Sequence, residues 1–150
     1  EVDMENTNAR IITELQKMQK LYDKYFLTIA NEENLTKIEV FILGFLANNP
    51  NYNTAKSIEE VLEFKKSNIS VAIEDLNSRG YIGKHSDKND RRISRLSLMP
   101  ISHHIVTKIK QTQEQFFQRV FEGITKEEMD SYCATVRKIL ENIGRMSNYE

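Results

Sequence analysis

Apolar residues return at helical spacing in six stretches of this chain and alternate at strand spacing in two. From about Asn8 to Ala30 they fall at Ile11, Ile12, Leu15, Met18, Leu21, Tyr22, Tyr25, Phe26 and Ile29, a broad stripe that predicts a long helix. Asn31–Asn34 reads as a polar break. Leu35-Thr36-Lys37-Ile38-Glu39-Val40 then writes a helix start: Thr36 as cap, Glu39 closing a capping box, and Leu35 stapled to Val40. The helix over 37–47 is apolar nearly all round, which places it at the centre of a fold, and it stops at Asn48-Asn49-Pro50-Asn51. Asn53 or Thr54 caps a third helix with Ile58, Val61 and Leu62 facing inward, followed by Phe64 in a turn. A fourth helix begins polar and basic and carries Ile69, Ala72, Ile73 and Leu76 at i, i+3, i+4 and i+7, with Gly80 as its stop. Tyr81–His85 and Ile93–Leu98 read as two short strands around the turn Ser86-Asp87-Lys88-Asn89-Asp90. Pro100 opens a long helix with Ile101, Ile105, Ile109, Phe116, Val120 and Phe121, ending at Gly123. Ile124–Met129 repeats the capping device with Thr125 and Glu128, and the last helix carries Tyr132, Cys133, Val136, Ile139, Leu140, Ile143 and Met146.

The predicted fold is therefore mainly α with one small β-hairpin. With 150 residues, 39% hydrophobic and 29% charged, the chain is sized for one folded domain. One Cys excludes a disulfide framework and a thiolate zinc cluster, and suits a reducing cytoplasm. No apolar run approaches the roughly 18 to 20 residues of a membrane span. The first residues lack the basic-then-apolar layout of a signal peptide, and Met4 is expected to be the natural start, with Glu1–Asp3 an addition. The net charge is −1, yet its distribution is uneven: residues 1–53 carry five basic and eight acidic side chains, residues 54–99 nine and seven, residues 100–150 seven and seven. Between 84 and 95 there are five basic residues (Lys84, Lys88, Arg91, Arg92, Arg95) against Asp87 and Asp90.

That concentration gives the chemistry. The fourth helix has a core-facing stripe and a free polar first turn, Lys65, Lys66, Ser67, Asn68 and Ser70. The hairpin tip sets Lys88, Asn89, Arg91 and Arg92 where no core accepts them. A rod for the major groove followed by a basic finger for the minor groove is what reading duplex DNA needs. Taken alone, Ser and Asn at a helix start serve capping, and charge at a turn is ordinary solvation; it is their succession within one helix-turn-helix-hairpin unit that points to nucleic acid. The first and last helices have wider apolar faces than one small domain covers, which points to a homodimer; a twofold pair would set two reading helices about one DNA turn apart.

Over 35–98 these residues resemble the multiple antibiotic resistance regulator (MarR) family of winged-helix transcription factors. The resemblance rests on I58-E-E-V-L-E-F-K-K-S-N-I-S-V-A-I-E-D-L-N-S-R-G80 and on G80-Y-I-G-K-H-S-D-K-N-D-R-R92, with Asp90-Arg91-Arg92 about ten residues after the helix-ending Gly as the most specific item. It implies a single domain over 1–150, with a winged helix-turn-helix lobe at 35–99 and dimerisation helices at 8–30 and 100–147. It implies DNA contacts from Lys65, Lys66, Ser67, Asn68 and Ser70, backbone phosphate contacts from Thr54 and Lys56, and a basic wing of Lys88, Arg91 and Arg92. Arg91 is then the minor-groove finger, and Asp90 braces the wing against Arg92. It implies a cytoplasmic repressor on a palindromic operator, with a small anionic or phenolic effector lodged between lobes and dimer helices, and no cofactor. The chain departs from the family pattern at Lys65, where a capping Ser is usual, at Glu59, where Ala is usual, and at Met99 and Ser102 flanking Pro100, where the long helix starts with Thr and Gly.

Other candidates carry less. Cys133, among apolar positions at helical spacing, reads as a buried core thiol; a redox-sensing thiol is the alternative, without a basic neighbourhood to lower its pKa. His103 and His104 point about 100° apart on a helix, so both cannot easily share one metal ion, although His103 can pair with a carboxylate of another helix. Tyr22, Tyr25, Phe26, Phe116 and Phe117 read as core or dimer interface. No clustered Gly loop, nucleophile triad or paired carboxylates support an enzyme. The remaining alternatives are a redox- or metal-responsive regulator of the same fold and a winged-helix module that contacts only protein.

Overall fold

The computed structural model describes residues 4–147. Glu1–Asp3, the expected addition ahead of Met4, lie outside the described residues. The chain runs α1 (Met4–Glu33), α2 (Lys37–Asn48), α3 (Ala55–Val61), α4 (Lys66–Ser78), β1 (Ile82–Ser86), β2 (Ser94–Leu98), a 3-10 turn (Pro100–Ser102), α5 (His103–Val120) and α6 (Lys126–Ser147). It divides into a larger unit up to Gln115 and a smaller one from Phe116 onward.

The core of the larger unit is built around α2. Val40, Ile42, Leu43, Phe45 and Leu46 of that helix are buried with Phe26, Ile29 and Ala30 of α1, Ile58 of α3, Ile69, Ala72, Ile73 and Leu76 of α4, Ile82 and Leu96 of the hairpin, and Ile105 and Ile109 of α5. A helix apolar on every side can serve neighbours on every side, which is why the most hydrophobic segment lies centrally. At Gly44, α2 comes close to α5: a Cβ there would stand 3.3 Å from Ile109 Cγ2. The capping box at Thr36 is present, with Thr36 N–H donating to Glu39 Oε2 (2.6 Å) and Glu39 N–H to Thr36 Oγ1 (3.3 Å).

Some helix ends follow the predicted chemistry and others differ: Pro100, expected to open the long helix, opens a 3-10 turn ahead of α5, which ends at Val120 and not at Gly123. The polar run Asn31–Asn34 does not interrupt α1 before Glu33; Glu32 and Glu33 remain helical, and Asn34 (φ 54°) ends the helix with Leu35 N–H donating to Ala30 O. Asn is among the few residues that accept this left-handed position. Gly80 (φ 76°) does the same for α4, with Tyr81 N–H donating to Leu76 O (2.9 Å). Thr54, not Asn53, caps α3. Val61, expected to face inward from α3, is 61% exposed; the helix ends there and Leu62 and Phe64 pack against the core instead. β1 and β2 pair antiparallel, with Ile82 opposite Leu98 and Lys84 opposite Leu96.

In the smaller unit, the Phe121 ring stacks with that of Phe117 at 6.0 Å between centres, and the Tyr132 ring lies tilted 5.8 Å from Phe121. Thr125 caps α6, with Glu128 Oε2 accepting Thr125 N–H (2.8 Å). Tyr132, Ile139, Leu140, Ile143 and Met146 are exposed on α6, and Ile11, Ile12, Leu15 and Leu21 are exposed on α1. Cys133 is exposed, which corrects the expectation of a core thiol. No helix among the described residues is long and apolar enough to cross a membrane.

Candidate nucleic-acid interface

The first turn of α4 is left open by its own sequence. Lys65 occupies the N-cap position with extended backbone and supplies no side-chain cap, so a Ser, Thr, Asn or Asp acceptor is missing where helices usually have one. Asn68 N–H donates to Lys65 O (2.9 Å), and the turn lacks a side-chain cap at the positive end of the helix dipole, where a phosphate oxygen is favoured. Lys65, Lys66, Ser67, Asn68 and Ser70 are all exposed, while Ile69, Ala72, Ile73 and Leu76 anchor the opposite face.

The acidic neighbours of these lysines were not anticipated. Glu59 of α3 sets its carboxylate 3.7 Å from Lys66 Nζ, Glu60 lies 3.8 Å from Lys56 Nζ, and Glu74 of α4 pairs with Lys84 of β1. Glu59 stands where the resemblance leads one to expect Ala, and it places a counter-charge beside the first turn of α4. Thr54 is also more committed than expected: its Oγ1 accepts Ser57 N–H (3.1 Å) and lies 2.9 Å from Ser57 Oγ, leaving Lys56 as the more accessible group at that helix start.

The hairpin tip is held from within. Asp87 Oδ1 accepts the backbone N–H groups of Asn89 (2.8 Å) and Asp90 (3.0 Å), and its other oxygen pairs with Arg95 Nε. The Arg95 pairing and these two backbone donors hold the Asp87 carboxyl down at about 2. Arg95 also donates to Asn53 Oδ1 (2.8 Å), Asn53 Nδ2 donates to Leu96 O (2.9 Å), and Leu96 N–H donates to Asn53 O (2.8 Å). Thr54 bridges Arg95 through the backbone. The wing is thus stitched to the start of α3.

Asp90 and Arg92, expected to brace the wing, do so less directly. Their charged atoms are 4.0 Å apart with the Arg92 side chain 95% exposed, and Asp90 acts mainly by accepting the Arg92 backbone N–H (3.0 Å). The principal brace is Asp87–Arg95, formed by one residue read as turn chemistry and another counted only as wing charge. Lys88 and Arg91 extend from the tip, exposed, with no ion pair among the described residues.

A second cluster joins α1, α2 and α4. Glu39, 2% exposed, faces Arg79 Nη1 at 3.9 Å; Arg79 also pairs with Asp75 (3.1 Å), donates to Asn34 O (3.0 Å) and lies 5.0 Å from the Tyr81 ring centre. Burial, and the hydrogen bond shared with the Asp75 carboxylate, push the Glu39 carboxyl above its ordinary range against the bond from Thr36, while Asp75 is lowered by Glu39 and Arg79. Elsewhere, His104, not His103, finds the carboxylate partner, with Nε2 3.0 Å from Glu33 Oε2. No group of three or more metal-ligating side chains is present among the described residues.

A family model described as MarR family matches residues 33–93, the interval from the end of α1 to the far side of the wing tip. Over this segment the chain is similar to the MarR family. The fold agrees over most of the chain. A MarR-family regulator from Listeria monocytogenes, solved in complex with a 26mer DNA, superposes with a TM-score of 0.76 at 20% identity, covering 88% of this chain and 87% of that one. A MarR-family regulator from Silicibacter pomeroyi gives 0.74 at 21% identity, covering 86% of each chain. Among curated proteins, the HTH-type transcriptional regulator PrsX of Escherichia coli is 21% identical over 91 residues, 61% of this chain. The matched part spans about half (55%) of that relative's length. Within the matched segment, α3 and α4 form a helix-turn-helix and the β1–β2 hairpin stands as a wing.

Proposed function

We propose that this protein binds double-stranded DNA as a homodimer and regulates transcription from a palindromic operator, as a repressor that a small effector releases. The observation that carries the reading is the uncapped, exposed polar turn of α4 together with Arg91 and Lys88 at a wing tip braced by Asp87. The turn supplies donors for phosphates and base edges, and the tip supplies a cation of the kind narrow minor grooves attract. Lys65, Lys66, Ser67, Asn68 and Ser70 contact the major groove and its phosphates; Lys56, Lys88 and Arg92 contribute charge, and Arg91 enters the minor groove. Nothing in this mechanism requires catalysis or a cofactor.

The exposed apolar residues of α1 and of α6 support the dimer, since faces of this kind stay uncovered only at a cost in aqueous solution. For the effector, a cleft in the larger unit holds about 450 Å³ and is lined by Asp23, Lys37, Phe41, Leu62 and Phe64 among others. Lys37 lies 5.6 Å from the Phe41 ring centre and 5.8 Å from that of Phe64, and its ammonium is already paired with Asp23. An aromatic anion entering there exchanges Asp23 for itself. Such a ligand shifts the protein only by its preference for the DNA-free form.

The test is selection of bound duplexes from a random pool at two salt concentrations. The expected result is an enriched palindrome with half-sites about one helical turn apart and affinity falling steeply with salt. Binding without an enriched sequence, or no salt-sensitive binding, overturns it; the latter outcome favours a module that contacts only protein.

A further inference from the structure

The outermost line of α4, opposite its buried stripe, is formed by Ser67, Ser70, Val71, Glu74 and Ser78. Two of these are occupied: Glu74 by Lys84, and Ser78 by Asp75, whose carbonyl accepts its hydroxyl (2.8 Å). Val71 is the single apolar residue on that line, and it is 69% exposed, more than any other valine named as exposed. A β-branched residue gains nothing in helix propensity there, and it packs on no residue of the core. Because helical side chains lean toward the N-terminus, its methyl groups cover the turn of Ser67 and Asn68, the same turn that lacks a cap.

We infer that Val71 is a specificity-determining residue: it seats the C5-methyl group of a thymine in each operator half-site, beside base-edge or phosphate contacts from Ser67 and Asn68. This inference rests on the DNA-binding reading above. In the major groove only thymine, among the unmodified bases, presents an apolar group, and an apolar side chain can read nothing else there. The same line carries no Lys, Arg, Asn or Gln, so the middle of α4 has no bidentate donor for guanine. Thymine recognition by shape and desolvation is the chemistry left to that part of the rod.

The experiment replaces each thymine of the selected duplex, one at a time, by deoxyuridine, which removes only the methyl group. Affinities are measured for the wild type and for Val71→Ala at fixed salt. Wild-type protein is expected to lose roughly fourfold at one thymine per half-site, the loss expected for one buried methyl. Val71→Ala binds the thymine and uracil duplexes alike at that position, and its melting temperature is unchanged or higher because Ala is the better helix former. If wild-type protein binds every uracil duplex as tightly as the parent, or if the discrimination survives in Val71→Ala, the inference is overturned while DNA binding stands. If no duplex is bound in a salt-sensitive way, both readings fall together.

Discussion

Asp87 and Arg95 show how single side chains decide what the wing can do. Arg95 is turned inward by Asp87 and Asn53, so the charge available to a ligand at the tip comes from Lys88, Arg91 and Arg92. Arg91→Ala is expected to weaken operator binding by about 1–3 kcal/mol without changing thermal stability, read by titration of labelled duplex. Arg95→Ala acts differently, by releasing the brace. With its carboxyl lowered to about 2, Asp87 contributes wing stability that is fully present above the ordinary Asp value of 3.8 and is lost as pH falls toward 2. An NMR pH titration following the Asn89 and Asp90 amides should show a midpoint near 2 in the wild type and a higher one in Arg95→Ala. The inward turn of Arg95 was hidden in the sequence because its second partner, Asn53, lies 42 positions away. A charge count treats Arg95 and Arg91 alike, and only tertiary structure separates them. The same holds for His104, whose partner Glu33 lies on another helix, and for Cys133, where an apolar neighbourhood in sequence was a surface in space.

At the scale of elements, what could be read in advance was what is written locally. The capping boxes of α2 and α6, the core stripe of α4 and the Gly80 stop depend on residues at most seven positions apart, and each is present in the structure. The contacts between elements were not legible. Glu39 was recognised as a cap partner but not as a buried carboxyl joined to Asp75 and Arg79. Since its pKa is raised by burial, its protonated form is favoured in the folded state. Stability is therefore highest below the ordinary Glu value of 4.5 as far as this group is concerned, and falls as pH rises through the raised value. Glu39→Gln, which keeps an acceptor for the Thr36 N–H, should flatten that part of the stability–pH curve in denaturant titrations. Glu59 also acts between elements, from α3 on the Lys66 of α4. Glu59→Ala should raise DNA affinity by up to about 1 kcal/mol, the scale of an exposed ion pair. The slope of log affinity against log salt should steepen by about one as Lys66 becomes available to phosphate. A loss of affinity would mean that Glu59 positions the lysine instead of competing for it.

For the molecule as a whole, the amphipathic patterns of α1 and α6 pointed to surfaces in need of a partner, and both helices leave large apolar side chains in solvent within one chain. Leu140→Glu is expected to shift the protein from dimer to monomer in sedimentation at micromolar concentration. Operator affinity should fall with it, because two half-sites no longer bind as one.

The seam between the wing and the start of α3 has a further consequence. Asn53, Thr54, Arg95 and Leu96 tie the hairpin to the helix-turn-helix through backbone and side chain together, so the lobe is built as a gauge with two fixed points. On the proposed DNA-binding function, a gauge of that kind measures distance along the duplex. Inserting one base pair between the stretch touched by Arg91 and the stretch touched by α4 should cost more than altering either stretch alone.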